Sequence, residues 1–199
     1  MIRQPIVINA YKHILQLLRQ VNHFPYHNIG HTLDVFRRAR ELGIAENISD
    51  EEMEDLLIGA LFHDTGFIVA YAKNEPIGAQ IARAWLEKHA HPEARIARVE
   101  RIILATVLFA QPQSILEEII QDADLDNLGR TDGLDKTARY AEELEIHSEH
   151  FNLQNYLKFT ERLYQNFSFN TKTARHERAY MQHNNLLVLR EKYGLAPTE

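Results

Sequence analysis

An apolar run that ends abruptly in two metal-competent side chains constrains this sequence more than any other feature. The run covers residues 56–62, and His63, Asp64 and, two residues later, Gly66 follow it. Seven successive, largely apolar residues predict a buried helix. Imidazole and carboxylate groups both bind divalent cations, but neighbouring side chains on a helix point about 100° apart. His63 and Asp64 can therefore share a metal only where other helices supply further ligands.

The composition is that of an ordinary globular protein and predicts a single domain over residues 1–199. Of the residues, 45% are hydrophobic and 25% are charged, which is usual for a soluble fold. The 22 Lys+Arg against 28 Asp+Glu give a formal charge of -6, which argues against binding to nucleic acid polymers. Because the chain has no cysteine, thiolate zinc sites are excluded and nitrogen or oxygen must hold any metal.

The sequence gives no sign of a membrane or secretory role. No stretch reaches the roughly 18 uninterrupted apolar residues of a membrane span. The apolar part of residues 2–9 is too short for a secretory signal. We therefore expect a cytoplasmic protein with no membrane partner, while the sequence leaves its oligomeric state open.

Helical periodicity and helix-boundary residues predict an all-α fold without useful strands. One helix is expected to end at Gly43, because glycine often follows a helix, and another at Gly194. Nine helical segments are predicted. One begins after Pro25 and runs to residue 42, and another begins at about residue 114. The others cover about residues 5–22 and residues 50–63, 76–89, 96–109, 133–146, 152–166 and 171–193.

Four residues at predicted helix ends or seams are the candidate metal ligands: His31, His63, Asp64 and Asp124. Taken singly, each has a simpler explanation. A histidine after an apolar helix is more often a hydrogen-bonded core residue, and Asp124 lies in an acidic stretch that would suit a turn or a helix cap. The four residues in combination are far more specific.

That combination resembles the H…HD…D signature of the HD superfamily of metal-dependent phosphohydrolases. The resemblance extends from about residue 26 to residue 130, roughly half of the chain. It implies an HD-domain helical bundle, with the helices of 133–193 packed on this motif core. It also implies hydrolysis of a phosphoester of a nucleotide or related small metabolite by metal-activated water.

Carried over from that superfamily, His31, His63, Asp64 and Asp124 would bind one divalent cation, with Asp64 also counted as catalytic. Two neutral imidazoles and two carboxylates bring a formal charge of -2, which balances a divalent ion and leaves positions for water and phosphate. Mn, Mg, Fe, Co, Ni and Zn all accept such ligands, so the identity of the ion stays open.

Residues 26–31, 103–106 and 123–125 are also similar to motifs of cyclic-nucleotide phosphodiesterases. In those enzymes the histidine at the His27 position protonates the leaving oxygen. An imidazole can donate a proton at neutral pH, so the same role suits His27. Alternatively, His27 only caps or orients the turn in which it lies.

The chain also departs from these relatives. The phosphodiesterases have a further histidine where this chain has residues 65–67, and their purine-binding glutamine has no counterpart here. The extra histidines of dinuclear HD hydrolases align with Asn74, Glu75 and Thr106, which favours one metal. The Glu-Asp dyad of guanosine tetraphosphate hydrolases is absent after the HD pair, which makes that substrate less suitable.

Further polar residues are candidates for supporting roles. Glu75 could act in catalysis by hydrogen-bonding a water or orienting a ligand, or it could simply be a favourable charge at a helix start. Lys73 and Arg130 are the candidate substrate-binding cations, since Arg130 follows the Asp124 motif and guanidinium binds phosphate well. Arg175 and Arg178 are weaker candidates, and surface salt bridges are the default for all four cations.

Two other groups are expected to be structural. His89 and His91 have a spacing that would suit a metal, but their polar turn predicts exposed side chains. Several aromatic residues could stack on a base, but helical spacing favours a core role; they are Tyr156, Phe159, Tyr164, Phe167 and Phe169.

Two functional alternatives remain at this point. One is a small enzyme like the cyclic-nucleotide phosphodiesterases. The other is a non-catalytic HD module that binds metal or nucleotide as a sensor. Oxygen chemistry at a di-iron site would need more ligands than the sequence supplies.

Overall fold

A computed structural model describes residues 5–195 and confirms the all-α prediction, with no strand in that range. Residues 1–4 and 196–199, the two ends of the predicted single domain, lie outside the described residues. The helices of the described part are α1 (Pro5–Leu17), α2 (Ile29–Ala45), α3 (Asp50–Phe62), α4 (Asn74–Lys88), α5 (Glu93–Leu104), α6 (Ile115–Asp124), α7 (Gly133–His147), α8 (Leu153–Asn166) and α9 (Lys172–Tyr193).

Local side-chain chemistry sets several of these boundaries. At the start of α3, the Ser49 side chain accepts a hydrogen bond from the Glu52 N–H, and the Glu52 carboxylate accepts one from the Ser49 N–H. This reciprocal capping satisfies two amides that the helix itself leaves unpaired. α9 ends at Gly194 with φ 62°, the left-handed conformation that favours glycine at a helix end. Both boundaries agree with the sequence prediction.

Three predicted helix ends are wrong. α2 continues past Gly43 to Ala45, because this glycine serves packing: a Cβ there would lie 2.7 Å from the Met53 Cε. α5 ends at Leu104 rather than at 109, and the chain then turns through Phe109, a non-glycine residue with φ 68°. α1 ends at Leu17 rather than near 22, and a short 3-10 turn follows it.

The described residues divide into two compact units, of which the first ends at Asp124. Its central element is α3, which packs against α1, α2, α4, α5 and α6. The predicted apolar run, residues 56–62, is fully buried. Gly59 lets α5 approach closely, since a Cβ at this position would overlap the Ile102 side chain. The burial of this helix fixes the place where its last turn presents His63 and Asp64.

The second unit begins at Leu125 and contains α7, α8 and α9. α9 packs against α8 and against the 3-10 turn Asp126–Gly129. Tyr156, Tyr164 and Phe169 are buried, as the core prediction requires, but Phe159 is 40% exposed, and for this residue the prediction is wrong. The single domain over residues 1–199 stays a prediction.

Within the described part of the chain, no helix combines the length and the apolar character that crossing a membrane requires.

Candidate metal centre

The ends of three helices bring the four predicted ligands together within the first unit. His31 lies in the first turn of α2, whose start is fixed by the Asn28 side chain accepting hydrogen bonds from the Gly30 and His31 N–H groups. His63 ends α3 and Asp64 follows it directly, while Asp124 is the last residue of α6. Residues 93 positions apart in sequence thus meet because their helices pack side by side.

The ligand atoms of these residues form one tight cluster. His31 Nε2 lies 3.3 Å from Asp64 Oδ2 and 3.1 Å from Asp124 Oδ1. His63 Nε2 lies 3.0 Å and 3.6 Å from the same two oxygens. The two Nε2 atoms are 3.3 Å apart. For His31, His63 and Asp124, all three ligand atoms lie within 4.8 Å of one another, and Asp64 joins this group through its contacts with both imidazoles.

Hydrogen bonds outside the cluster orient two of its members. His63 Nδ1 lies 2.8 Å from the Ala60 carbonyl oxygen, so in the neutral ring Nδ1–H donates to that carbonyl and Nε2 offers its lone pair to the cluster. The Asn74 amide, through Nδ2, lies 3.5 Å from Asp64 Oδ1. Asp64 Oδ2 is buried and, among the described residues, has no hydrogen-bond partner of good geometry despite the two nearby imidazoles.

These observations fit a divalent cation. In an octahedral site with bonds of about 2.1 Å, adjacent ligand atoms lie about 3.0 Å apart. The distances between imidazole and carboxylate atoms here begin at 3.0 Å and reach 3.6 Å. A buried carboxylate oxygen without a good partner is costly unless a cation compensates it. This cluster of histidine and aspartate therefore suits a divalent metal ion.

The charges of the metal-free cluster also favour binding of a divalent cation. Burial by itself would lower the pKa of the His31 imidazole, but Asp124 and Asp64 outweigh it and raise that pKa to about 10. Burial also opposes protonation of His63, yet attraction by Asp64 raises its pKa. Burial would raise the pKa of the Asp64 carboxyl, but His63 and the other nearby histidines hold it well below its usual range. Protons on the imidazoles thus supply positive charge that a divalent cation would replace.

His27 lies beside the cluster, in the turn before α2 rather than on that helix. Its ring centroid is 5.6 Å from that of His31, and its ring stacks on Phe67 at 4.4 Å. Tyr26 contacts both imidazoles, with ring centroids 4.8 Å from His27 and 4.9 Å from His31. His27 is therefore a neighbour of the predicted ligands and belongs to an aromatic environment.

At the start of α4, the residue that contacts the cluster is Asn74, which lies between the two predicted residues Lys73 and Glu75. Glu75 lies in the first turn of α4 and belongs to neither group of potential metal ligands in the described residues. Lys73 is exposed and has φ 58°. Sequence reasoning missed their neighbour Asn74, which is buried and contacts Asp64. The available signal was an amide residue just before a Glu-Pro helix start, which alone is weak.

The three predicted arginines belong to the second unit, and each is engaged there. Arg130 makes a two-pronged ion pair with Asp132, at 2.8 and 2.7 Å. Arg178 Nε donates to the buried Asp126 carboxylate at 2.7 Å. Arg175 donates to the carbonyl oxygens of residues 170 and 171. Any role in phosphate binding would compete with these interactions.

A second group of potential ligands corrects the prediction for His91. Its side chain is only 6% exposed, and Nε2 lies 3.5 Å from Asp55 Oδ1, so the expected exposure is wrong. Asp55 is fully buried, and its two oxygens accept hydrogen bonds from Arg95 and Arg98. The arginines already compensate this carboxylate, so the group reads as a structural ion-pair network. His89 is exposed, as predicted, and stacks on Trp85 at 4.0 Å.

A protein-family model identifies the domain that contains this cluster. The HD domain model matches residues 28–126, a range that contains all four predicted ligands. This chain carries an HD domain. The resemblance inferred from the H…HD…D residues is thereby confirmed, and it places the chain in a superfamily of metal-dependent hydrolases.

Solved structures share the fold of this HD protein. A crystal structure of a Listeria innocua protein aligns with a TM-score of 0.63 at 21% identity, covering 99% of this chain and 100% of that one. A crystal structure of a Lactobacillus plantarum protein aligns with a TM-score of 0.67 at 17% identity, covering 96% and 98%. At such identities the likeness concerns the fold alone. Among curated proteins, none matches the sequence.

Proposed function

We propose that this protein hydrolyses a phosphoester of a nucleotide or a related small metabolite, using one divalent cation held by His31, His63, Asp64 and Asp124. The observation that carries the proposal is the convergence of these four side chains, with imidazole-to-carboxylate distances of 3.0–3.6 Å, at three helix ends. The HD domain supports it, because that superfamily consists of metal-dependent hydrolases. Mn, Mg, Fe, Co, Ni and Zn are all compatible with two imidazoles and two carboxylates.

When bound, the cation lowers the pKa of a water and offsets charge on phosphoryl oxygens. The protein's own residues keep the site ready for it. The Ala60 carbonyl holds His63 in the tautomer whose Nε2 faces the cluster, and Asn74 orients the Asp64 carboxylate. Orientation by such outer contacts is worth about 10–100-fold in metal affinity or activity in comparable sites.

The proton for the leaving oxygen comes from His27 in this proposal. His27 is partly exposed and lies next to His31 without being one of the four ligands. A ring nitrogen of a protonated imidazole can donate to a leaving oxygen, and such general acid catalysis contributes about 10²–10⁴-fold to rates. Lys73 and Arg130 are proposed as cations for the substrate phosphate, with Glu75 in a supporting role beside Asn74.

A hydrolysis screen tests this function. Purified wild type, Asp64→Ala and the control Asp50→Ala are assayed, with added Mn²⁺, on nucleotide monophosphates, diphosphates and cyclic esters. Asp50 is an exposed aspartate of the same unit. We expect turnover of at least one ester class by wild type and by the control, and its loss in Asp64→Ala.

The pattern of substrates also separates the alternatives. Turnover of cyclic esters would favour an enzyme like the cyclic-nucleotide phosphodiesterases, whereas turnover of monophosphates alone would favour a phosphomonoesterase. Bound metal without turnover of any ester would contradict the enzymatic proposal and indicate a sensor.

A further inference from the structure

The turn that follows the metal ligand Asp64 carries an aromatic side chain onto the ring of His27. This 3-10 turn spans Thr65–Ile68, and Phe67 within it stacks on the His27 imidazole with a centroid distance of 4.4 Å and an interplanar angle of 30°. His27 itself lies in the turn before α2, which the Asn28 side chain braces by donating hydrogen bonds to the carbonyl oxygens of Phe24 and Pro25.

Hydrogen bonds tie the 3-10 turn that carries Phe67 to the residues around the metal ligand Asp64. The Phe67 N–H donates to the Asp64 carbonyl oxygen at 3.2 Å, and Thr65 Oγ1 donates to the Phe62 carbonyl oxygen at 2.7 Å. Gly66 lies against the start of α4 so closely that a Cβ would overlap the Asn74 carbonyl group. Phe67 is therefore tied to the same segment that places Asp64.

Phe67 is also held from its other side. It is 9% exposed and makes an edge contact with Phe24 at 6.2 Å and a tilted contact with Tyr71 at 5.3 Å. Aromatic neighbours of this kind fix the plane of a ring, because offset and edge geometries are preferred over others. The His27 imidazole, which stacks on Phe67 at an interplanar angle of 30°, is therefore held in a nearby orientation.

We propose that Phe67 is a positioning residue for His27, which holds the imidazole in the orientation from which it donates a proton to the leaving oxygen. The inference rests on the proposed function for its catalytic consequence, but the ring contact that carries it is independent of that function. Small misplacement of a catalytic group can cost about 10²-fold in rate, so a single supporting ring can have a large effect.

The test compares Phe67→Leu, which removes the ring, with Phe67→Tyr, which retains it. Phe36→Leu is the matched control, because Phe36 is 8% exposed in the same unit and contacts Tyr11. Each variant, fully loaded with Mn²⁺, is assayed on phenyl phosphate and p-nitrophenyl phosphate or on the corresponding diesters. The p-nitrophenolate leaves readily without a proton, whereas phenolate needs one far more.

We expect Phe67→Leu to lower kcat on the phenyl ester by about 10- to 100-fold and to change the p-nitrophenyl rate by less than about threefold. Metal content should equal that of wild type. Phe67→Tyr and Phe36→Leu should retain wild-type selectivity, and Phe67→Leu should add little in a His27→Ala background. An equal loss on both esters, or a loss of metal, would overturn the proposal, since Phe67 would then support the metal cluster or the fold.

A second readout does not depend on activity. In the ¹H–¹³C spectrum of imidazole groups, the His27 signal should carry the ring-current shift of Phe67. It should move in Phe67→Leu and return in Phe67→Tyr. An unmoved His27 signal would refute the positioning role even if the enzyme were active. A wild type inactive on every ester, with the signal moving as expected, would refute the proposed function while supporting the ring contact.

Discussion

Metal binding at the cluster of His31, His63, Asp64 and Asp124 should release protons, and its affinity should rise with pH. The reason is that His31 has a pKa of about 10 in the metal-free protein because of its two carboxylate neighbours, whereas a metal ligand must be the neutral imidazole. Removing that proton at pH 7 costs about 4 kcal/mol, since three pH units each correspond to about 1.4 kcal/mol. Apparent affinity at pH 7 is thus about 1000-fold below its limiting value.

The raised pKa of His31 also determines how steeply the affinity for Mn²⁺ should change with pH. His31 alone gives about a tenfold gain in affinity per pH unit between pH 6.5 and 8.5. The pKa of His63 is also raised, so up to two protons should leave per ion. Calorimetric titration with Mn²⁺, in two buffers of different ionisation enthalpy, measures both the proton count and the affinity at each pH. His89→Gln, which removes an exposed histidine outside the cluster, should leave both unchanged.

The raised pKa of His31 also determines how the stability of the metal-free fold changes with pH. A protonated His31 stabilises the metal-free fold fully below its unfolded pKa near 6.5, and this contribution is lost as pH rises toward about 10. The increase in Tm on adding Mn²⁺ should therefore grow from pH 6.5 to 8.5. Less than about half a proton released per ion at pH 7, with an affinity independent of pH, would show that His31 is not protonated in the metal-free protein.

Three further changes should have separate effects. Asn74→Ala, which removes the amide beside Asp64, should weaken Mn²⁺ binding by about tenfold in the same titration; unchanged affinity would show that the amide does not orient the carboxylate. Asp55→Ala should lower the free energy of unfolding by about 1–3 kcal/mol in urea melts. It removes the buried carboxylate that Arg95 and Arg98 share, while Glu54 and Glu51 still pair with these arginines; an unchanged free energy of unfolding would contradict this. Gly66→Ala should lower the free energy of unfolding by about 1–3 kcal/mol and also weaken Mn²⁺ binding, because the new Cβ would overlap the Asn74 backbone. Wild-type stability together with wild-type Mn²⁺ affinity would refute the close packing of this turn.

The sequence predicted the helices well where local chemistry decides their limits. The capping pair of Ser49 and Glu52 marked the start of α3, and Gly194 marked the end of α9. Gly43 misled because the same residue type that ends helices also allows close packing, here with Met53, and only the tertiary contacts distinguish the two uses.

The candidate site was predictable to a similar degree. Its four ligands are marked by their position at helix ends and by a signature that extends from residue 31 to residue 124. Asn74 contacts Asp64, and Phe67 stacks on His27, but the spacing of these pairs in the sequence carries no comparable signal. The burial of His91 could not be read from its polar surroundings, because its partner Asp55 comes from α3, far earlier in the sequence.

The most direct test of a divalent cation at the cluster is the anomalous scattering of crystals grown with Mn²⁺. We expect one strong peak per chain, bonded to His31 Nε2, His63 Nε2 and the carboxylates of Asp64 and Asp124. A peak at Glu54, Asp55 and His91 instead, or no peak at the HD residues under saturating Mn²⁺, would contradict it.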